Sequence, residues 1–122
     1  MTLYLLSVPH DSATEPTMTS MDPAELEAAL AAVGALNADL EAAGALRFAG
    51  GLHPPSTATT IDGAVDTPTR TPGPFVEAAE YLGGLWVIEA DDEDAALEWG
   101  TRAARALRGR IEVRAFQDVP EA

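Results

Sequence analysis

One stretch, Pro72 to Ala90, constrains this chain more than any other. It begins Pro-Gly-Pro-Phe, a tight turn, and continues through Val-Glu-Ala-Ala-Glu-Tyr-Leu as a short acidic helical turn. A glycine pair follows, and then Leu85–Ala90, apolar on nearly every residue. Such a run is expected at the centre of a sheet, and the rest of the chain has to be arranged around it.

The flanking segments supply strands and two amphipathic helices. Thr2–Val8 predicts a strand, built of Leu, Tyr and Val without breakers. Pro9–Ser20 predicts a loop and holds His10 beside Asp11. Ser20 or Asp22 can cap a helix that has Pro23 in its first turn, runs to about Ala43 and ends at Gly44. Leu26, Leu30, Val33, Leu36 and Leu40 give it one apolar face, and Gly34 suggests close packing on the sheet. Leu46–Leu52 predicts a second strand, in which Gly50-Gly51 permits a bulge or a close backbone approach.

Thr57–Ile61 predicts a third strand, and Asp62-Gly63 a turn, with Ala64–Asp66 as a brief returning arm and Thr67–Pro74 as loop. Phe75–Leu82 is expected to form one or two helical turns closed by Gly83-Gly84. Asp91–Asp94 opens the second main helix, where four acids match the positive end of the helix dipole. Its apolar face is expected to hold Ala95, Leu97, Trp99, Ala103 and Leu107, and Gly109 to end it. Arg110–Phe116 predicts the last strand, and 117–122 a loose tail.

Two helices cannot cover both faces of so large a sheet. They fit one face of a mainly antiparallel sheet, so the expected class is α+β, a ferredoxin-like split β-α-β arrangement in one domain spanning 1–122. Alternation assigns Trp86, Ile88, Ala90, Ile111, Val113 and Ala115 to the helix side. Leu85, Val87, Glu89, Glu112, Arg114 and Phe116 then share the other face. That mixture suits a dimer interface enclosing a polar pocket; the alternative is a solvated face with surface ion pairs.

The formal net charge of -13 argues against nucleic acid, whose phosphates need a concentrated basic surface. All seven basic residues are arginine, and five of them (Arg102, Arg105, Arg108, Arg110, Arg114) lie near the C-terminus. Helix-end electrostatics and surface pairing account for that cluster; a small anionic ligand is the other reading. With no cysteine, thiolate chemistry and cysteine metal sites are excluded. Two distant histidines and scattered acids have no metal-ligand spacing, so neither a metal nor a cofactor is expected. No run approaches the length of a membrane span. Leu3–Val8 is too short for a signal-peptide core, and a cytoplasmic protein is expected.

Several local patterns occur together: Gly73-Pro74-Phe75, the acids Glu77 and Glu80, Gly83-Gly84, Glu89-Ala90, Ala96-Leu97-Glu98-Trp99 and Ile111-Glu112-Val113-Arg114. Their order resembles the YCII-related family, most closely its DGPF-motif branch; the run Pro54–Thr60 is also similar to that branch. The resemblance extends from about Leu3 to Phe116. It implies a ferredoxin-like protomer of the dimeric α+β barrel superfamily. It also implies a link to extracytoplasmic-function sigma factors, and, from YCII-like members, a His-Asp pair as an active site. One relative acts in chlorinated-aromatic breakdown by dehydrochlorination. This chain departs from the branch at the motif aspartate, which is Pro72 here, and the lysine usual between the two acids is Ala79.

A general base mapped to that aspartate is therefore missing. The candidate pocket is His53, Glu89, Glu112 and Arg114, with His10, Asp11, Glu77 and Glu80 ranked below. Three functional readings follow. One is a homodimeric module that binds a small anionic or metabolite ligand, or a protein such as a sigma factor. Another is a cofactor-independent enzyme in which His53 or His10 is the base for proton abstraction, isomerisation or elimination, with Arg114 stabilising negative charge. The third is a fold kept for oligomerisation alone.

Overall fold

A computed structural model describes residues 1–10, 22–75 and 80–118. Its strands are β1 (Thr2–His10), β2 (Leu46–Gly51), β3 (Thr59–Asp62), β4 (Thr69–Pro72), β5 (Tyr81–Ala90) and β6 (Glu112–Ala115). Its helices are α1 (Pro23–Ala42) and α2 (Glu93–Leu107). The main sheet runs β2-β5-β1-β6, antiparallel throughout, and β3-β4 forms a separate ribbon. Numbering only the four main strands in chain order gives 2-3-1-4, the ferredoxin-like order expected of two β-α-β units interleaved. As expected, β5 lies inside the sheet, between β2 and β1.

Both helices pack on one side of the sheet. Leu6, Leu36, Leu40 and Ile88 are fully buried there, joined by Tyr4, Trp86, Ala90, Ala96 and Ala103. Each of the large aliphatic side chains contributes roughly 1.5–3 kcal/mol by leaving water. The Trp86 Nε1–H donates to Asn37 Oδ1 at 2.7 Å, fastening β5 to α1. Asp22 caps α1 by accepting from the Ala24 N–H, and Asp92 caps α2 by accepting from the Ala95 N–H. Gly44 takes φ 69° just after α1, as a residue ending a helix in the left-handed region does.

Several local expectations change. β1 continues through Pro9 to His10, so His10 is a strand residue and not a loop residue. Pro9 is tolerated because β6 pairs only with Tyr4–Ser7 and a register shift falls between Val8 and Pro9. β2 stops at Gly51, and its irregularity lies at Arg47 instead of the glycine pair, although Gly50 does approach Gly84 closely. Pro55–Thr57 is a 3-10 turn, so β3 starts later than expected, at Thr59. Its partner is β4, inside the stretch expected to be loop; Ala64–Asp66 is the turn, where the Asp62 side chain accepts from the Ala64 N–H.

Tyr81–Gly84 belong to β5 rather than to a helical turn, while 76–79, with Glu77, lie outside the described residues. Leu30 and Leu97 are exposed, so the buried stripes run through Ala29, Leu36 and Leu40 on α1 and Ala96, Gly100 and Ala103 on α2. Small residues dominate the second stripe because α2 lies close to β6: a Cβ at Gly100 would sit 2.6 Å from Val113 Cγ2. Gly34 is exposed and a Cβ there would meet nothing within 4 Å, so it marks no close packing. Arg108, not Gly109, takes the left-handed conformation after α2, at φ 54°.

Candidate functional site

The four residues first singled out are distributed over the molecule. Glu89, Arg114 and Glu112 sit opposite Leu3, Leu5 and Ser7 of β1, all on the sheet face away from the helices. Glu89 forms an ion pair with Arg47, and Arg114 lies 3.6 Å from Glu112. Glu112 and Arg114 line an open cleft of about 790 Å³ at the β6 edge, together with Ser7, Tyr81, Arg110 and Glu80; the last two form an ion pair. His53 lines a different cavity, of about 680 Å³, between the β3-β4 ribbon and the start of β5. Glu89 lines neither. Asp11 and Glu77 lie outside the described residues. Pro72 is the exposed last residue of β4, and Gly73 after it takes φ 108°.

A third cavity, of about 440 Å³, is built differently. Its walls are Leu30, Val33 and Asn37 of α1, Leu107 at the end of α2, and the ends of β1, β2 and β5. Val8, Ala49, Leu52 and Trp86 make it largely apolar, and Gly50, Gly51, Gly83 and Gly84 form a floor without side chains. Gly51 pairs with Gly84, two residues along from the helix-side pair Ala49 and Trp86. A Cβ at Gly51 would meet open space, whereas one at Gly84 would lie 3.1 Å from the Gly50 carbonyl oxygen. The glycine floor is what leaves room between sheet and helices.

His10 lines this cavity and is the one buried polar or charged residue among those described. Its ring lies over Gly83, where a Cβ would be 2.2 Å from Cδ2. Its Nδ1 is fully buried and has no hydrogen-bond partner among the described residues. Burying such a nitrogen unpaired costs about 1–3 kcal/mol, so it stands out against the satisfied polar groups around it. The Asn37 Oδ1 already accepts from Trp86, which leaves its amide N–H groups as the other polar function of the lining. Among the described residues no Asp, Glu, Lys or Arg lines this cavity. Among the described residues no group of three or more His, Asp and Glu side chains could hold a metal ion, and no helix is long and apolar enough to cross a membrane.

In the sequence His10 ranks low because Pro9–Ser20 reads as loop and a His-Asp neighbour pair is common by chance. The signal was present: Tyr4, Leu6 and Val8 alternate onto the helix side, and the next position of that period is residue 10. The contributions of Asn37 and Gly51 carried no such signal, since each depends on which segments meet.

Two helices on one face of an antiparallel sheet, with a cavity at one end, define an α+β protein of the ferredoxin-like class. The model of the YCII-related domain matches residues 2–119, and the chain belongs to that family. A comparison with curated proteins finds no match.

Proposed function

We propose that this YCII-related protein is a homodimeric small-ligand-binding module and that its ligand occupies the His10 cavity. One observation carries the reading: His10 lines an apolar cavity of about 440 Å³ and is buried there, its Nδ1 without a hydrogen-bond partner among the described residues. That volume falls in the range of pockets for small organic molecules, roughly 300–1,000 Å³. A bound molecule would bury its apolar surface against this lining and could hydrogen-bond to the imidazole of His10 where the ring borders the cavity.

The dimer is supported by the opposite sheet face. Leu3, Phe48 and Phe116 are 40%, 62% and 44% exposed there, beside the half-buried Leu5, Leu85 and Val87. A contiguous apolar patch is the usual mark of an interface. A sigma-factor partner is the regulatory form of the same reading and rests on the DGPF resemblance. The second reading, a cofactor-independent enzyme, is favoured by the same imidazole, which is the group a proton abstraction would need. Here the base would be His10, because His53 lies in a separate cavity.

Thermal-shift screening of a metabolite library against the wild type and His10→Phe tests the module. Ligands that raise the wild-type Tm and fail on the variant are expected; at a hundredfold excess over Kd the stabilisation is about 2.7 kcal/mol. A library that yields nothing on the wild type refutes the reading. Size-exclusion chromatography with light scattering is expected to give twice the chain mass, and a clean monomer at micromolar concentration refutes the dimer.

A further inference from the structure

We infer that the ligand of the His10 cavity is an uncharged, mostly apolar molecule carrying at least one hydrogen-bond acceptor, and not an anion. The inference rests on the proposal that this cavity is the ligand site. Its ground is where the charges of the molecule lie. Arg47 pairs with Glu89 and Arg102 with Asp39, while Arg110 and Arg114 pair with Glu80 and Glu112 at the β6 cleft. None of those eight residues lines the His10 cavity. An anion entering it would lose its water and meet neither lysine nor arginine, which is strongly unfavourable. The field of a chain at -13 adds to that penalty. A cation would meet the Trp86 ring and, among the described residues, no carboxylate in the lining.

What the lining offers instead is matched to a neutral molecule. Leu30, Val33, Leu52 and Leu107 give apolar walls. The Asn37 amide N–H groups can donate to a carbonyl, ether or hydroxyl oxygen. The imidazole of His10 supplies a second polar contact, as donor or acceptor according to its tautomer. The anionic ligand suggested by the cluster of arginines therefore has no place in this cavity; the cleft at Glu112 and Arg114 is the only one of the three to contain arginine.

The test is a fragment library in three arms of equal size, neutral, anionic and cationic at pH 7.5, titrated into the ¹⁵N-labelled full chain. The Trp86 indole N–H reports on the cavity and the Trp99 indole, on α2 and outside the lining, is the internal control. Neutral fragments are expected to dominate the hits at least fivefold and to move Trp86 without Trp99. Gly51→Leu, whose Cβ meets open space, is expected to weaken those hits at least tenfold while the fold persists. Anionic or cationic hits that move Trp86 and are lost in Gly51→Leu overturn the inference but leave the cavity as the ligand site. Hits that leave Trp86 unmoved, or no hits at all, overturn the ligand site as well. The distribution over the three arms is read on the wild type, so it holds even if Gly51→Leu fails to fold.

Discussion

Adding one methyl group at Gly83 sets two effects against each other. In a strand interior, alanine is favoured over glycine by roughly 0.5–1 kcal/mol, because glycine loses more backbone entropy on folding. Gly83 is buried within β5, so on local grounds Gly83→Ala should stabilise the protein. The tertiary structure reverses that sign. The new Cβ would lie 2.2 Å from His10 Cδ2, 2.7 Å from Cγ and 2.8 Å from Nε2. Carbon atoms in contact sit about 3.5–4.0 Å apart, so the ring has to move by more than 1 Å. It is rigid and 92% buried by its neighbours, being only 8% exposed, and cannot bend away as a long aliphatic chain would. Overpacking of this kind costs about 1–3 kcal/mol, which exceeds the propensity gain.

Gly83→Ala is therefore expected to lose about 1.3 kcal/mol in urea denaturation, the difference between the midpoints of these two ranges. In a His10→Ala background the obstruction is gone, and the same change should be neutral or slightly stabilising. The pair should thus show a coupling of at least about 1 kcal/mol, as residues in direct contact do. If Gly83→Ala is as stable as the parent protein, or if its cost is unchanged without the His10 ring, the account of the cavity floor fails.

Other substitutions probe the rest of the frame. Asn37→Leu removes the acceptor of the Trp86 Nε1–H and should cost about 1–3 kcal/mol by urea denaturation, with a changed Trp86 indole resonance. Gly34→Ala should stabilise by up to about 1 kcal/mol, since the added methyl meets nothing and the helix gains propensity; a loss would show that Gly34 packs after all. Gly100→Ala should destabilise by about 1–3 kcal/mol through Val113, and Val113→Ala in the same chain should recover part of that in thermal unfolding. Arg102→Ala breaks an exposed ion pair with Asp39 and a contact over the Trp99 ring, and should change stability by no more than about 1 kcal/mol.

Much of the frame was legible in the chain itself. The periodicity of Leu36 and Leu40, the cap at Asp22, the acidic opening Asp91–Asp94 of α2, and the alternation through Leu85–Ala90 depend on residues near one another in sequence, and local physics decides them. So did the placement of Glu89, Glu112 and Arg114 on one sheet face, because a period of two has only two outcomes. The family followed from the same local patterns.

The candidate site was not legible in this way. Gly83-Gly84 looked like a stop signal, because glycine marks the end of a helix as readily as a close approach inside a sheet. Which of the two applies depends on His10, far away in the chain, whose ring needs the missing Cβ. His10 looked like a loop residue because Pro9 precedes it; only the short reach of β6 makes that proline tolerable. The stretch from Pro72 to Ala90 thus determined by itself that a strand runs through the centre of the sheet. That its glycines form the floor of a cavity was decided by the tertiary structure alone, because an empty volume belongs to no segment and exists only where several fail to touch.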